Sequence, residues 1–326
     1  MRVSFGRFSG IWIATIILFA LSPLIASGSL SRAAIVSMLP FAAILAVVAV
    51  GQTLVAQQRG LDLSIPGMVS LAALIVTRYP NLDESKAFAG IMLTIACCAI
   101  AGLANGLAVS VLGITPLVAT LAINAFLLGF VQWYSGGFPT GAVDSLNGWA
   151  IEFTFGIPNT VIAAAILIAL VTAVMKLTVV GRRFEAVGAN PVAARSAGIS
   201  VRRYVLASYV MAGICYAIAG ILLAAFLKTP GVFVGETYLL PSVAAVVLGG
   251  TALTGGAGSV IASAVAALFL TQLGQLVLSI GAPTSIQLLI QSATIAIGMG
   301  LRGIPFDALL RLLGIGRRDE QVLPAR

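Results

Sequence analysis

The 326-residue chain is 60% apolar and 9% charged. A water-soluble domain carries about 25% charged residues, so this chain lacks the polar surface to cover a globule in water and has the bilayer as its main solvent. Its net charge of +8 does not point to nucleic acid, because the arginines sit between apolar runs of spanning length and read as orientation signals.

A helix needs roughly 20 apolar residues to cross a hydrocarbon core of about 30 Å. Apolar runs at 11–27, 33–56, 63–77, 87–111, 116–135, 159–179, 204–227, 241–253, 260–280 and 285–301 predict ten spans. The first follows Arg2 and Arg7 and is expected to be a retained helix rather than a cleaved signal. With the N-terminus cytoplasmic, only Arg32, Arg78, Lys86 and Lys228 of the 18 basic residues fall outside. Positive charge favours the cytoplasm, so both termini are expected there. The fold class is all-α: one polytopic transmembrane domain over 1–326.

Two spans are short. The third, 63–77, contains Pro66 and Gly67; the eighth, 241–253, contains Gly249–Gly250. They hold corresponding places in two five-span halves. Five is odd, so the halves run in opposite senses, the pattern of an inverted repeat whose broken spans surround a transport path. Two awkwardly packed helices are the other reading. Just before the third span, Gly51–Met68 reads GQTLVAQQRGLDLSIPGM. Arg59 and Asp62 fall at the membrane boundary. Asp62 or Ser64 is placed to accept backbone N–H groups where the third span begins, and Pro66 fits its first turn, where no donor is lost.

Gly102–Gly106, GLANG, is a G-x-x-x-G and predicts close helix packing. In the polar segment 181–203, Asn190 is expected to cap a short helix that starts at Pro191, carries Ala194 and Arg195, and stops at Gly198. A capped helix flanked by arginines suits docking to a cytoplasmic partner; a surface helix on lipid headgroups is the alternative. The tail over 302–326 spaces Phe306, Leu309, Leu310 and Leu313 as an amphipathic helix and offers Arg311, Arg317 and Arg318 to membrane lipid.

The chemistry of the spans is uncharged. None carries an acid or base near its centre, which argues against ion coupling and for an external energy source. Their polar side chains are amides and hydroxyls. Asn105, Asn124, Gln272, Gln275, Gln287 and Gln291 are candidates to line a path for a hydroxylated solute, with Gln272 and Gln275 sharing one helix face. Hydrogen bonding between helices is the competing use. The chain has no histidine, its three cysteines lie in apolar runs, and no nucleophile–base pair is visible. No enzyme activity, metal or cofactor is expected. Without a G-x-x-x-x-G-K-[ST] loop the chain is not expected to hydrolyse ATP itself; GGTALTGGAGS, 249–259, lacks the lysine.

Four stretches together resemble the permease subunits of ribose-type sugar ABC importers, within the wider family that also serves branched-chain amino acids. They are GLDLSIPGM (60–68), ANGLAVSVLGITPLVATLAINAFLLGF (104–130), GRRFEAVGANPVAARSAGISVRR (181–203) and AAVVLGGTALTGGAGSVIASAVAAL (244–268). The Asp-Leu-Ser form is similar to the carbohydrate branch. Arg59 departs from the family pattern, which has a small residue there, and Pro66 departs where valine-glycine would continue. The resemblance implies a multi-pass protein of the bacterial inner membrane. Its implied partners are a cytoplasmic ABC ATPase, a second permease copy or paralogue and a periplasmic sugar-binding protein. It also makes 181–203, with Gly188, Asn190, Pro191, Ala194, Arg195 and Gly198, the ATPase-coupling loop. A permease for branched-chain amino acids or nucleosides is the alternative, and a secondary carrier or channel the alternative of another class.

Overall fold

Lipid offers no hydrogen bonds, so apolar runs satisfy their backbone by becoming helices. In the computed structural model, which describes residues 8–303, each of the ten runs contains one. In order they are α1 (Ser9–Ile25), α2 (Arg32–Gln57), α3 (Ile65–Arg78), α4 (Ala87–Ser110), α5 (Pro116–Ser135), α6 (Asp144–Ile151), α7 (Asn159–Leu177), α8 (Val179–Ala189), α9 (Pro191–Ser196), α10 (Val201–Leu227), α11 (Leu239–Leu248), α12 (Val260–Ser279) and α13 (Thr284–Gly303). The strands β1 (Phe153–Thr154) and β2 (Ile157–Pro158) pair antiparallel in a small hairpin before α7. Six helices among the described residues are long and apolar enough to cross a membrane: α2, α4 with its preceding turn, α5, α7, α10 and α12. The expected tail lies, from residue 304 onward, outside the described residues.

Two expectations need correction and one helix was missed. The eighth run is helical only as far as Leu248; Gly249–Thr251 form the turn, because Gly250 takes φ +98. The segment 181–203 is not one short helix in a loop, since α8 runs into it from Val179 before α9 begins. The eight-residue α6 went unforeseen. Its sequence, DSLNGWAI, has little periodicity, and it is held from outside: Asn147 Nδ2 donates to the Ala225 carbonyl of α10 at 2.8 Å, and Ser145 donates through N and Oγ to Glu84.

The helices α2, α3 and α10 form the centre. Every residue of α3 from Ile65 to Thr77 is buried, which is how a 14-residue apolar helix survives at membrane depth: protein, not lipid, surrounds it. By contrast α4, α5 and α7 each keep a broad exposed apolar face. Glycine sets the closest crossing. A Cβ on Gly102 of α4 would overlap the Tyr209 carbonyl oxygen of α10, and one on Gly213 of α10 would overlap the Cys98 carbonyl of α4.

Packing partners exchange under a shift of five spans. Helix α4 lies on α10 as α12 lies on α2, and α3 lies on α10 as α11 lies on α2. The neighbours α3–α4, α3–α5 and α4–α5 repeat as α11–α12, α11–α13 and α12–α13. The pair α2–α10 maps onto itself, whereas α1 and α7 do not follow the pattern. The loops gather at two ends. At one, Lys228 pairs with Asp144 at 2.8 Å and Lys86 with Asp83 at 3.0 Å. At the other, the end of α2 meets the end of α8 and the α11–α12 turn.

Candidate functional site

The connection from α2 to α3 is a buried polar knot. Asp62 is fully buried, and its Oδ1 accepts the Ser64 N–H at 2.9 Å and the Ser64 Oγ–H at 2.5 Å. Asn105 of α4 donates from Nδ2 to Ser64 Oγ at 2.8 Å. Asp62 therefore shapes the turn one step before α3, while Ser64, the residue preceding the helix, makes no capping bond of its own. Pro66 sits in the first turn of α3. The N–H groups on either side of it are met from α5: Asn124 Oδ1 accepts from Gly67 N at 2.8 Å, and Thr120 Oγ1 accepts from Leu63 N at 3.0 Å. Burial pushes the Asp62 carboxyl up to about 6 from the ordinary 3.8, against the lowering effect of the two Ser64 hydrogen bonds. Its Oδ2, Asn105 Oδ1 and the Tyr209 hydroxyl find no hydrogen-bond partner among the described residues.

The polar segment builds a bracket. Asn190 Oδ1 accepts from Val192 N at 3.1 Å and Ala193 N at 3.0 Å, Pro191 opens α9, and Gly198 closes it at φ +76. Gly188, at the end of α8, has no room for a side chain: a Cβ would overlap the Gln57 carbonyl and lie 3.0 Å from Gly256 N. Gly256 N in turn donates to Gln57 O at 2.9 Å. Ala194 is buried and faces inward, so the surface that α9 offers consists of Val192, 73% exposed, with Ala193, Arg195 and Ser196. Val192 was not singled out from the sequence, where Val187, Ile199 and Val201 stand in the same segment and nothing marks it apart.

The amides divide. Gln272 is fully buried and donates from Nε2 to Ser22 Oγ of α1 at 3.0 Å. Gln275 instead lines a cavity of about 380 Å³ with Gln287, Ser37, Thr237 and Thr271. The two are neighbours on one helix, but Gln272 is taken up by α1 and only Gln275 reaches the cavity. Asn105 and Asn124 serve the α3 start, as described. The side chain of Gln291 lies outside the described residues.

The family model described as the branched-chain amino acid transport system / permease component matches residues 34–299. The ribose import permease protein of Bacillus subtilis (strain 168) is 30% identical over 90% of this chain and 91% of its own length. The ribose import permease protein of Escherichia coli (strain K12) is 30% identical over 78% of this chain and 80% of its own. The galactofuranose transporter permease protein of the same strain is 30% identical over 86% and 82%. No solved structure matches. The family model spans nearly all the described helices and these relatives are 30% identical over most of both chains, so the chain belongs to the branched-chain amino acid transport system / permease component family.

Proposed function

We propose that the chain is the translocation subunit of an ATP-driven importer for a sugar or a related polyol, in the bacterial inner membrane. The observation that carries this reading is the 30% identity to ribose and galactofuranose permeases over most of both chains. A cytoplasmic ABC ATPase supplies energy, a second permease subunit completes the path, and a periplasmic binding protein delivers solute. The ten-span arrangement with both termini cytoplasmic, and the inverted relation of its halves, draw support from the exchange of packing partners between α3–α5 and α11–α13. The 181–203 segment, by this reading, couples to the ATPase through α9. The cavity with Gln275 and Gln287 is the stretch of amides best placed to meet a hydroxylated solute.

Proteoliposomes that contain the permease with its cognate ATPase and binding protein should take up radiolabelled ribose only when ATP is supplied. Uptake that persists without ATP would favour a secondary carrier. The family model's own description favours a second reading, branched-chain amino acid transport; leucine competing against ribose for the binding protein would decide for it.

Docking through α9 makes a separate prediction. Val192→Asp leaves the fold intact, since the side chain is exposed, and should weaken ATPase association by about tenfold, the loss of one apolar anchor from an interface centre. Co-purification yield measures it. Unchanged association would remove α9 from the interface.

A further inference from the structure

Arg59 follows α2 with φ +65, the left-handed region in which an L side chain is strained. Glycine would hold this position without that strain. Strain of this kind persists where the surroundings over-determine it, and the Arg59 side chain shows what does so here. Its Nε donates to the Gly188 carbonyl at 3.0 Å and its NH2 group to the Ala189 carbonyl at 2.7 Å. These are the last carbonyls of α8, immediately before Asn190 begins α9. They carry the negative end of the helix dipole, which a guanidinium suits in charge as well as geometry.

The stem of Arg59 crosses the third partner of the junction. Gly255, at φ +93, sits beneath it so closely that a Cβ there would overlap Arg59 Cγ. Beside it, Gln58 Nε2 donates to the Phe184 carbonyl of α8 at 2.8 Å. Four side-chain and backbone contacts therefore bind three segments at one point: the end of α2 that leads to α3, the end of α8 that leads to α9, and the turn that follows α11. The helices α3 and α11 are the two short, broken spans of the fold. The connection that leads into α3 and the turn that leads out of α11 thus meet the end of α8, at the base of α9.

We infer that Arg59 is the positioning residue through which α9 acts on the two short helices. It binds no solute and no nucleotide. It makes the α8–α9 corner, the α2–α3 connection and the α11–α12 turn move as one body, so that a displacement of α9 reaches α3 and α11 together. This inference rests on the reading of α9 as the coupling helix.

Arg59→Gly separates this role from a stabilising one. The substitution removes both guanidinium bonds and relieves the backbone strain at once. Its thermal midpoint in detergent should equal or exceed that of the native protein. Amide hydrogen exchange over 184–197 should accelerate by about tenfold, because the two lost bonds are charge-assisted. In the ribose proteoliposome assay, the ATP hydrolysed per sugar moved should rise at least several-fold. Arg59→Lys, with one donor group in place of the fork, should fall between the two in exchange and in the ATP ratio. Native exchange and a native ATP ratio in Arg59→Gly would overturn the inference. A lowered midpoint with a native ratio would do so as well, since the residue would then be a support only. Val192→Asp is carried through the same assay. If it uncouples while Arg59→Gly does not, the inference alone fails; if neither uncouples, the coupling role of α9 fails with it.

Discussion

Gly213→Val should abolish the native packing of α10, with a fall in thermal midpoint of more than about 5 °C or loss of monodisperse protein. The cause is specific. A Cβ at Gly213 meets the Cys98 carbonyl of α4 and lies 3.4 Å from the Gly102 Cα. Both obstacles are backbone, so no rotamer change makes room, and the helices themselves must part. Overpacking costs about 1–3 kcal/mol in ordinary cores, and here the displaced helix is the one that also packs on α2 and α3. Close approach through small residues is a main source of helix association in lipid, where burial of apolar surface contributes nothing extra. Gly129→Leu on α5 is the control, because nothing lies within 4 Å of a Cβ there. It should behave as the native protein does. Equal midpoints for Gly213→Val and Gly129→Leu would show that α4 and α10 do not cross in contact.

The features legible from the sequence were those with a local cause. Apolar length marks each run, and the Asn190–Pro191 pair with Gly198 defines α9 within two turns, since cap, first-turn proline and C-terminal glycine all act on adjacent residues. The GLANG crossing was readable too, because small residues four apart have one main use in a membrane helix. The illegible features depend on what lies opposite. Whether Ala194 or Val192 faces out is decided by the body on which α9 rests, and a six-residue helix has too few turns to show periodicity. Gln272 and Gln275 are equal in sequence; α1, more than two hundred residues away, supplies the Ser22 hydroxyl that claims one of them. Arg59 reads as an orientation charge until the carbonyls of Gly188 and Ala189 are brought to it. The α6 helix is held by partners distant in sequence, Glu84 and α10 among them.

Asp62 separates most sharply by the variant chosen. Asp62→Asn keeps an Oδ1 that accepts the Ser64 N–H and Oγ–H, and it removes a buried carboxyl. Its stability at pH 7.5 should equal or exceed that of the native protein. Asp62→Ala leaves the Ser64 N–H and Oγ–H facing an empty acceptor in a buried site, a loss of about 1–3 kcal/mol. The pH dependence follows from the raised pKa. Between the unfolded value of 3.8 and the folded value of about 6 the native state binds the extra proton. Stability from this group is thus fully present below 3.8 and declines as pH rises through about 6. Acidifying from pH 7.5 to 5 should therefore stabilise the native protein relative to Asp62→Asn by about 1.4 kcal/mol, the value of the one pH unit below about 6 that the step crosses. Thermal midpoints of both proteins at the two pH values measure the difference. Parallel slopes would mean that Asp62 is not a buried carboxyl. If Asp62→Asn folds with the native midpoint and yet transports no ribose, Asp62 acts in the transport cycle itself. If it folds and transports while Asp62→Ala does neither, its work is to hold the turn from which α3 starts.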